Sequence, residues 1–221
     1  MAELSVFVDM YPRMKRNINA RVISTAATKE NQRIAKQYGK DYFDGAREHG
    51  YGGFRYDGRW KPIVKKMAEI YGLTNESSVL DIGCAKGFTL HDLKQLLPGM
   101  KIAGIDISEY WIANAMEEVK PFIQVGNCLS LPYPDKSFDL SLGINVFHNL
   151  KREECKKAFQ EMMRVTKKHM YVQLDSFRNQ QEKDNLDKWQ LTAELIYSPT
   201  QWDEFFKEVG YTSDYYWTII E

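Results

Sequence analysis

No stretch of the 221-residue chain approaches eighteen consecutive apolar residues, so nothing in it has the character of a membrane-spanning helix. The opening MAELSVFVDMYPRMKRN has no basic segment followed by an apolar core of about 7 to 15 residues, which argues against an export signal. Cysteine is scarce: Cys84, Cys128 and Cys155 are odd in number, widely spaced and never in a CxxC pair, which speaks against a disulfide framework and against a zinc site. Net charge is absent too, because 30 basic and 30 acidic side chains cancel. The chain therefore lacks the positive excess with which a protein tracks a phosphate backbone, and nucleic acid is not an expected partner. The basic run RMKR at 13–16 reads as a solvated charge cluster. With no Gly/Ser or Pro-rich linker block, these absences describe a cytoplasmic protein built around one core, with no membrane contact.

What is present is alternation. From residue 77, short β-rich runs take turns with amphipathic helical patterns: SSVLDIG, FTLHDLKQLL, KIAGIDI, SEYWIANAMEEV, FIQVGN, FDLSLGIN, REECKKAFQEMMRV and HMYVQLD. Strands that are nearly continuously apolar and separated by helices imply a parallel sheet covered on both faces. Pro98-Gly99 ends the first of these helices, Ser108 caps the second, and Ser198-Pro199 opens a later one that Gly210 closes. SDYYWTII reads as a last strand, and residues 180–196 and 28–39 read as helical. The expected fold is α/β, a Rossmann-like doubly wound, mostly parallel sheet with helices on both faces. An N-terminal helix and strap (1–60) precede the main domain (61–221).

The segment YFDGAREHGYGGFRYDGRW (42–60) mixes glycines with aromatics so that no period survives. A loop of this length is expected to act as a lid, or as a strap whose aromatics plug one end of the core. Those aromatics are also candidates for a homodimer contact.

In DIGCAKGFTL (81–90), Gly83 and Gly87 stand where a buried strand turns at once into a helix. The turn needs residues free to take φ > 0 and a place without Cβ where backbone meets ligand. Outward-pointing N–H groups at the helix start favour a ligand with acceptor oxygens. Asp106 ends the next strand and puts a carboxylate at the crevice edge, suited to both hydroxyls of a ribose. Ala85 stands where a dinucleotide fingerprint has its middle glycine, and no GKS or GKT follows. A nucleoside without phosphates fits what remains, and a nicotinamide oxidoreductase is disfavoured.

Together, DIGCAKG, Asp106, GNCLSLPYPDKSFDLSLGINVFHNL (126–150) and MRVTKKHMYVQL (163–174) resemble a class I S-adenosylmethionine-dependent methyltransferase over about residues 55–221. The resemblance implies a Rossmann-like sheet with an extra antiparallel strand and S-adenosyl-L-methionine across the strand ends, leaving S-adenosyl-L-homocysteine as product. It places Asp81, Gly83, Cys84, Ala85 and Gly87 at the methionine and sulfonium part, and Asp106 at the ribose. Ile107 would lie on one adenine face, Asn127 and Cys128 at the adenine edge, and Asn145 at the methionine end. Only one late strand is evident, so the far edge is either trimmed or uses part of TAELIYS.

For an acceptor that must lose a proton, His148 in the loop after the fourth strand is the first candidate base and His49 the second. Asp175 and Arg178, after the fifth strand, and Tyr51, Tyr56 and Arg59 of the strap are candidate substrate contacts. Tyr51-Gly52-Gly53 followed by Asp57-Gly58-Arg59-Trp60 also resembles methyltransferases that accompany surface-polysaccharide or sugar-modification pathways. That suggests methylation of an oxygen on a small polar acceptor, a sugar or a phosphorylated metabolite. A non-catalytic cofactor-binding sensor or scaffold and a protein methyltransferase are the alternatives.

Overall fold

The computed structural model describes residues 1–5 and 28–221, so the RMKR cluster lies outside the described residues. Six strands form one sheet: β1 Ser78–Ile82, β2 Lys101–Asp106, β3 Ile123–Val125, β4 Phe138–Ile144, β5 Thr166–Asp175 and β6 Asp214–Thr218. Their order is β3-β2-β1-β4-β5-β6, and every neighbouring pair is parallel. The α/β expectation holds, but the extra antiparallel strand implied by the resemblance is not found among the described residues. Two helices cross between β5 and β6, returning the chain to the end from which β5 starts, so β6 runs the same way. Part of TAELIYS does reach the sheet, since Tyr197 bridges Ser176 in parallel sense, and Glu3 bridges Tyr215 along the outer edge of β6.

The described helices are α1 Lys29–Ala35, α2 Lys40–Phe43, α3 Trp60–Tyr71, α4 Phe88–Leu96, α5 Glu109–Ala113, α6 Arg152–Val165, α7 Gln180–Trp189 and α8 Pro199–Val209. None is long and apolar enough to cross a membrane. Capping follows the sequence: the Ser108 hydroxyl accepts from Trp111 N, Ser198 and Gln201 form a reciprocal capping box, and Gly72 and Gly210 end α3 and α8 in left-handed conformation. The stretch 180–196 is helical only to Trp189, and α5 stops at Ala113.

Side chains alternate across the sheet, so each strand feeds two cores. Val79, Leu140, Leu142 and Tyr171 pack with Ile63, Val64 and Met67 of α3 and Leu90 and Leu93 of α4. Leu80, Ile82, Val172 and Leu174 pack with Phe159 and Met162 of α6 and Trp202 and Phe206 of α8. The strand order reverses between β1 and β4, and in open α/β sheets the crevice outside the strand ends at such a switch point receives the ligand.

Candidate functional site

At that switch point two chambers open over the carboxyl ends of β1, β2 and β4. The first, about 320 Å³, is floored by Gly83, Ala85, Asp106 and Ile107, with Asn127 and Cys128 on one side and the strap's Tyr38, Tyr42, Phe43 and Tyr51 on the other. The second, about 250 Å³, lies between α3 and the sheet and is lined by Trp60, Ile63, Met67, Asp81, Tyr171 and Gln173 among others. Gly83, Ala85, Ile144, Asn145 and Tyr51 border both, so the chambers form one cleft.

The glycine turn is a tightly bonded floor. Gly83 N and Cys84 N both donate to Ile105 O, at 2.7 and 3.2 Å, and Gly87 N donates to Cys84 O at 2.8 Å. Ala85 N donates to the Asp106 carboxylate at 2.9 Å. The expectation that these N–H groups point at a ligand is therefore corrected, because the neighbouring strand and its terminal carboxylate already accept them. An anion nest is absent from these four positions, which suits an unphosphorylated ligand.

Backbone geometry explains the residue choice. Gly83 sits at φ +78°, and a Cβ there would stand 2.1 Å from Val146 Cγ2. Ala85 takes φ +51°, a left-handed conformation that costs an L residue about 1–2 kcal/mol. The bond from its N–H to Asp106 holds it there. Asn145 ends β4 at φ +57°, which asparagine tolerates better than most residues.

Asp106 accepts Ala85 N on one carboxylate oxygen and Ser108 N on the other, each at 2.9 Å. Each oxygen keeps a second lone-pair direction, and the residue lines the first chamber. Burial pushes its pKa up, against the two backbone bonds that lower it. Asp81 is more deeply buried, and desolvation followed by the nearby Asp106 charge pushes its carboxyl up to about 8. Ile107 is 56% exposed, an apolar side chain left open at the chamber's edge.

Of the ten candidate cofactor contacts, Asp81 and Cys84 line the second chamber; Asp106, Ile107, Asn127 and Cys128 line the first; Gly83, Ala85 and Asn145 line both. Gly87 lies behind the wall, where it caps α4 at φ +75°. The Asn127 side chain accepts Leu129 N at 2.9 Å, which stiffens the loop beside the chamber. The candidate substrate contacts scatter instead. Only Tyr51 lines the cleft. The Tyr56 hydroxyl donates to Asp92, Arg59 is bound to Asp57, and Arg178 joins Glu182 and Glu221. His148 is buried on neither chamber wall: its Nδ1 accepts Asp175 N at 3.1 Å, its Nε2 is 3.4 Å from the Asp175 carboxylate, and burial lowers its basicity. His49 lies near Glu48, also off the cleft.

Sequence reasoning missed Trp111, Asn149, Glu154, Gln173 and Trp60, which complete the walls. Trp111 had a signal, three residues beyond the Ser108 cap, where a helix turns back over its own N-terminus. Gln173 had one as well, since an amide near the end of a buried parallel strand faces the crevice.

Residues 80–172 match the family model described as "Methyltransferase domain". That stretch, less than half of the chain, is similar to methyltransferase domains. The matched stretch runs from within β1 into β5 and includes the glycine turn, the turn after β2, the β3–β4 loop and the end of β4. Among curated relatives, a tRNA (carboxymethyluridine(34)-5-O)-methyltransferase of Arabidopsis thaliana is 29% identical over 168 residues, 75% of this chain and 39% of that protein. A demethylmenaquinone methyltransferase of Symbiobacterium thermophilum is 29% identical over 120 residues, 47% of this chain and 45% of that protein. The chain thus spans less than half the length of either. Among solved structures, the [4+2]-cyclase SpnF superposes with a TM-score of 0.57 at 21% identity, over 81% of this chain and 72% of that one, a likeness of fold.

Likeness to methyltransferase domains implies S-adenosylmethionine as donor, and the cleft fits that molecule in kind. Its combined chambers fall in the usual range for ligand sites of about 300–1,000 Å³. A carboxylate with free lone pairs, an open apolar side chain and a second carboxyl are the kinds of group that a ribose, a base and a cationic amino-acid end would need. The chemistry of Asp81 then has a sign. Its native pKa lies above the ordinary 3.8, so the free protein holds a proton that the unfolded chain has lost between about pH 4 and pH 8. Stability of the unliganded protein is expected to fall as pH rises through that window and to level off above it. Affinity for a cationic ligand is expected to rise over the same window, because binding favours the carboxylate. Calorimetry in buffers of different ionisation heat would show about one proton released near pH 7, and Asp81→Asn would abolish the release.

Proposed function

We propose that this protein transfers a methyl group from S-adenosyl-L-methionine to an oxygen of a small polar acceptor, releasing S-adenosyl-L-homocysteine. The observation that carries the reading is the Asp106 carboxylate, locked by Ala85 N and Ser108 N at the floor of a cleft that continues past Gly83 and Asn145 into a second chamber. When bound, the donor supplies a methyl group activated on a sulfonium sulfur. The protein's part is to hold the acceptor in line with that methyl and to exclude water, and such positioning is worth about 7–11 kcal/mol. Asn145, at the junction of the chambers, is placed to orient the reacting ends, and Trp60, Ile63 and Met67 keep the second chamber dry.

The walls bear on the acceptor. Among the described residues lining either chamber there is no lysine or arginine, so a phosphorylated acceptor meets no counter-charge. A neutral sugar-like hydroxyl compound meets Gln173 and Asn145 as hydrogen-bonding partners. No histidine lines either chamber among those residues. Asp81 is the carboxyl that lines the second chamber, and as the carboxylate it can accept a proton from an acceptor hydroxyl there.

Calorimetry with S-adenosylmethionine, S-adenosylhomocysteine and NADH tests the cofactor. The first two are expected to bind and the third is not, and failure of both sulfur compounds would end the proposal. Labelled-methyl assays then compare free sugars, nucleotide sugars, phosphorylated metabolites, protein and tRNA. Label entering only tRNA or protein would replace the small-molecule acceptor. Binding without turnover on any pool would favour a cofactor-binding scaffold.

A further inference from the structure

The aromatic wall of the first chamber comes from the strap, and the polar groups that attach it converge on two turns. Ser108 Oγ donates to Tyr38 O at 2.6 Å, beside Asp106. Lys86, between Ala85 and Gly87 in the glycine turn, sends its Nζ to Asp44 Oδ2 at 2.8 Å and to Phe54 O at 3.0 Å. The same Asp44 oxygen accepts the Tyr110 hydroxyl at 2.9 Å, while Asp44 Oδ1 accepts Phe54 N at 3.0 Å. One carboxylate therefore closes the strap upon itself and ties it to both α5 and the glycine turn. The Lys86 ammonium also stands 5.4 Å from the Trp111 ring centroid, and only 12% of its side chain is exposed.

We propose that Asp44 is a positioning residue for the cofactor: through Lys86 and Tyr110 it clamps residues 38–54 over the adenosyl chamber, with Tyr38, Tyr42, Phe43 and Tyr51 as the clamped wall. The inference rests on the cofactor assignment above. Its physical basis is that Lys86 belongs to the same short turn whose Ala85 N–H is held by Asp106. The ribose-facing carboxylate and the strap's anchor thus grip one rigid piece of backbone. A ligand that fills the first chamber presses on both, so closing the strap and binding the ligand stabilise each other. A largely buried, hydrogen-bonded ion pair is suited to this because removing one partner leaves the other charge uncompensated.

The test uses S-adenosylhomocysteine as probe, with dissociation followed by tryptophan fluorescence, since Trp111 and Trp60 line the chambers. Asp44→Asn and Lys86→Met are each expected to weaken binding about tenfold, mainly through faster dissociation. The double variant should be no weaker than either single one, because both remove the same contact. Tyr110→Phe, which deletes one hydroxyl, should give a smaller change of about threefold in the same direction and guards against misfolding of the charge variants. In the wild type, the probe should protect Arg47 and Arg55 in the strap from trypsin, and Asp44→Asn should lose that protection even when the probe is saturating. The proposal is overturned if wild-type protein binds the probe while all three single variants dissociate within twofold of it, or if the double variant shows the product of the single effects. Absence of binding by the wild type would instead sink the cofactor reading itself.

Discussion

Replacing Asp106 with alanine is expected to lower affinity for S-adenosylhomocysteine by about 100-fold or more, with little loss of stability in the unliganded protein. The carboxylate does two jobs. It offers lone pairs to the cleft, and it holds Ala85 N at 2.9 Å, keeping that residue at φ +51°. Hydrogen bonds to a charged partner contribute about 1.5–3 kcal/mol each, and about 1.4 kcal/mol is a factor of ten in affinity. Two ligand bonds lost therefore account for the expected weakening before any movement of the turn is added. Stability is buffered because Asp106 is itself desolvated and raises the pKa of Asp81, so its removal relieves two unfavourable interactions while breaking two backbone bonds. Asp106→Asn, which keeps one acceptor oxygen, should fall between. Calorimetry and thermal melts on the three proteins decide the matter, and an alanine variant binding within threefold of wild type would remove the ribose role.

Gly83→Ala should abolish detectable cofactor binding and destabilise the protein by about 3 kcal/mol. Two penalties add: about 1–2 kcal/mol for an L residue at φ +78°, and about 1–3 kcal/mol for forcing a methyl against Val146 Cγ2, 2.1 Å from the ideal Cβ position. Gly72 supplies the comparison. It also has positive φ, +59°, but nothing lies within 4 Å of its Cβ position. Gly72→Ala should therefore show only the conformational part, about 1 kcal/mol, and bind normally. For a chain of this size each kcal/mol moves the melting temperature by about 2–4 °C, so the two variants should separate clearly in a thermal scan. Adding Val146→Ala to Gly83→Ala should recover part of the stability. No recovery would mean that the conformational penalty dominates.

The unequal legibility of the site follows from how each part is encoded. The strand-end side of the cleft was readable because its residues sit at fixed places in a repeating strand-turn-helix unit: a buried strand with Asp81 next to its end, a turn that needs Gly83, a second strand that ends in Asp106. Local steric rules fix those residue types, so short stretches of sequence reveal them. The candidate substrate contacts were not readable in the same way. Tyr56 and Arg59 looked like cleft residues from their company of glycines and aromatics, yet Tyr56 turns to Asp92 and Arg59 to Asp57. His148 stands three residues beyond Asn145, but the turn at Phe147–Asn149 sends its ring inward to Asp175. A loop carries no periodicity that would say which way a side chain points.

By itself, the sequence determined the alternation of elements, the parallel sheet, the caps, and the two carboxylate-ended strands that meet a glycine turn. Periodicity, capping chemistry and the demand for positive φ act over a few residues and survive as pattern. Only the tertiary structure decided that β6 runs parallel, that the turn's N–H groups are taken up by Ile105 and Asp106, and that Asp44 of the strap finds Lys86 42 residues away. Those outcomes depend on which distant groups come to share a buried space, where an unpaired donor or charge is too unfavourable to leave alone, and no local pattern specifies such a partner.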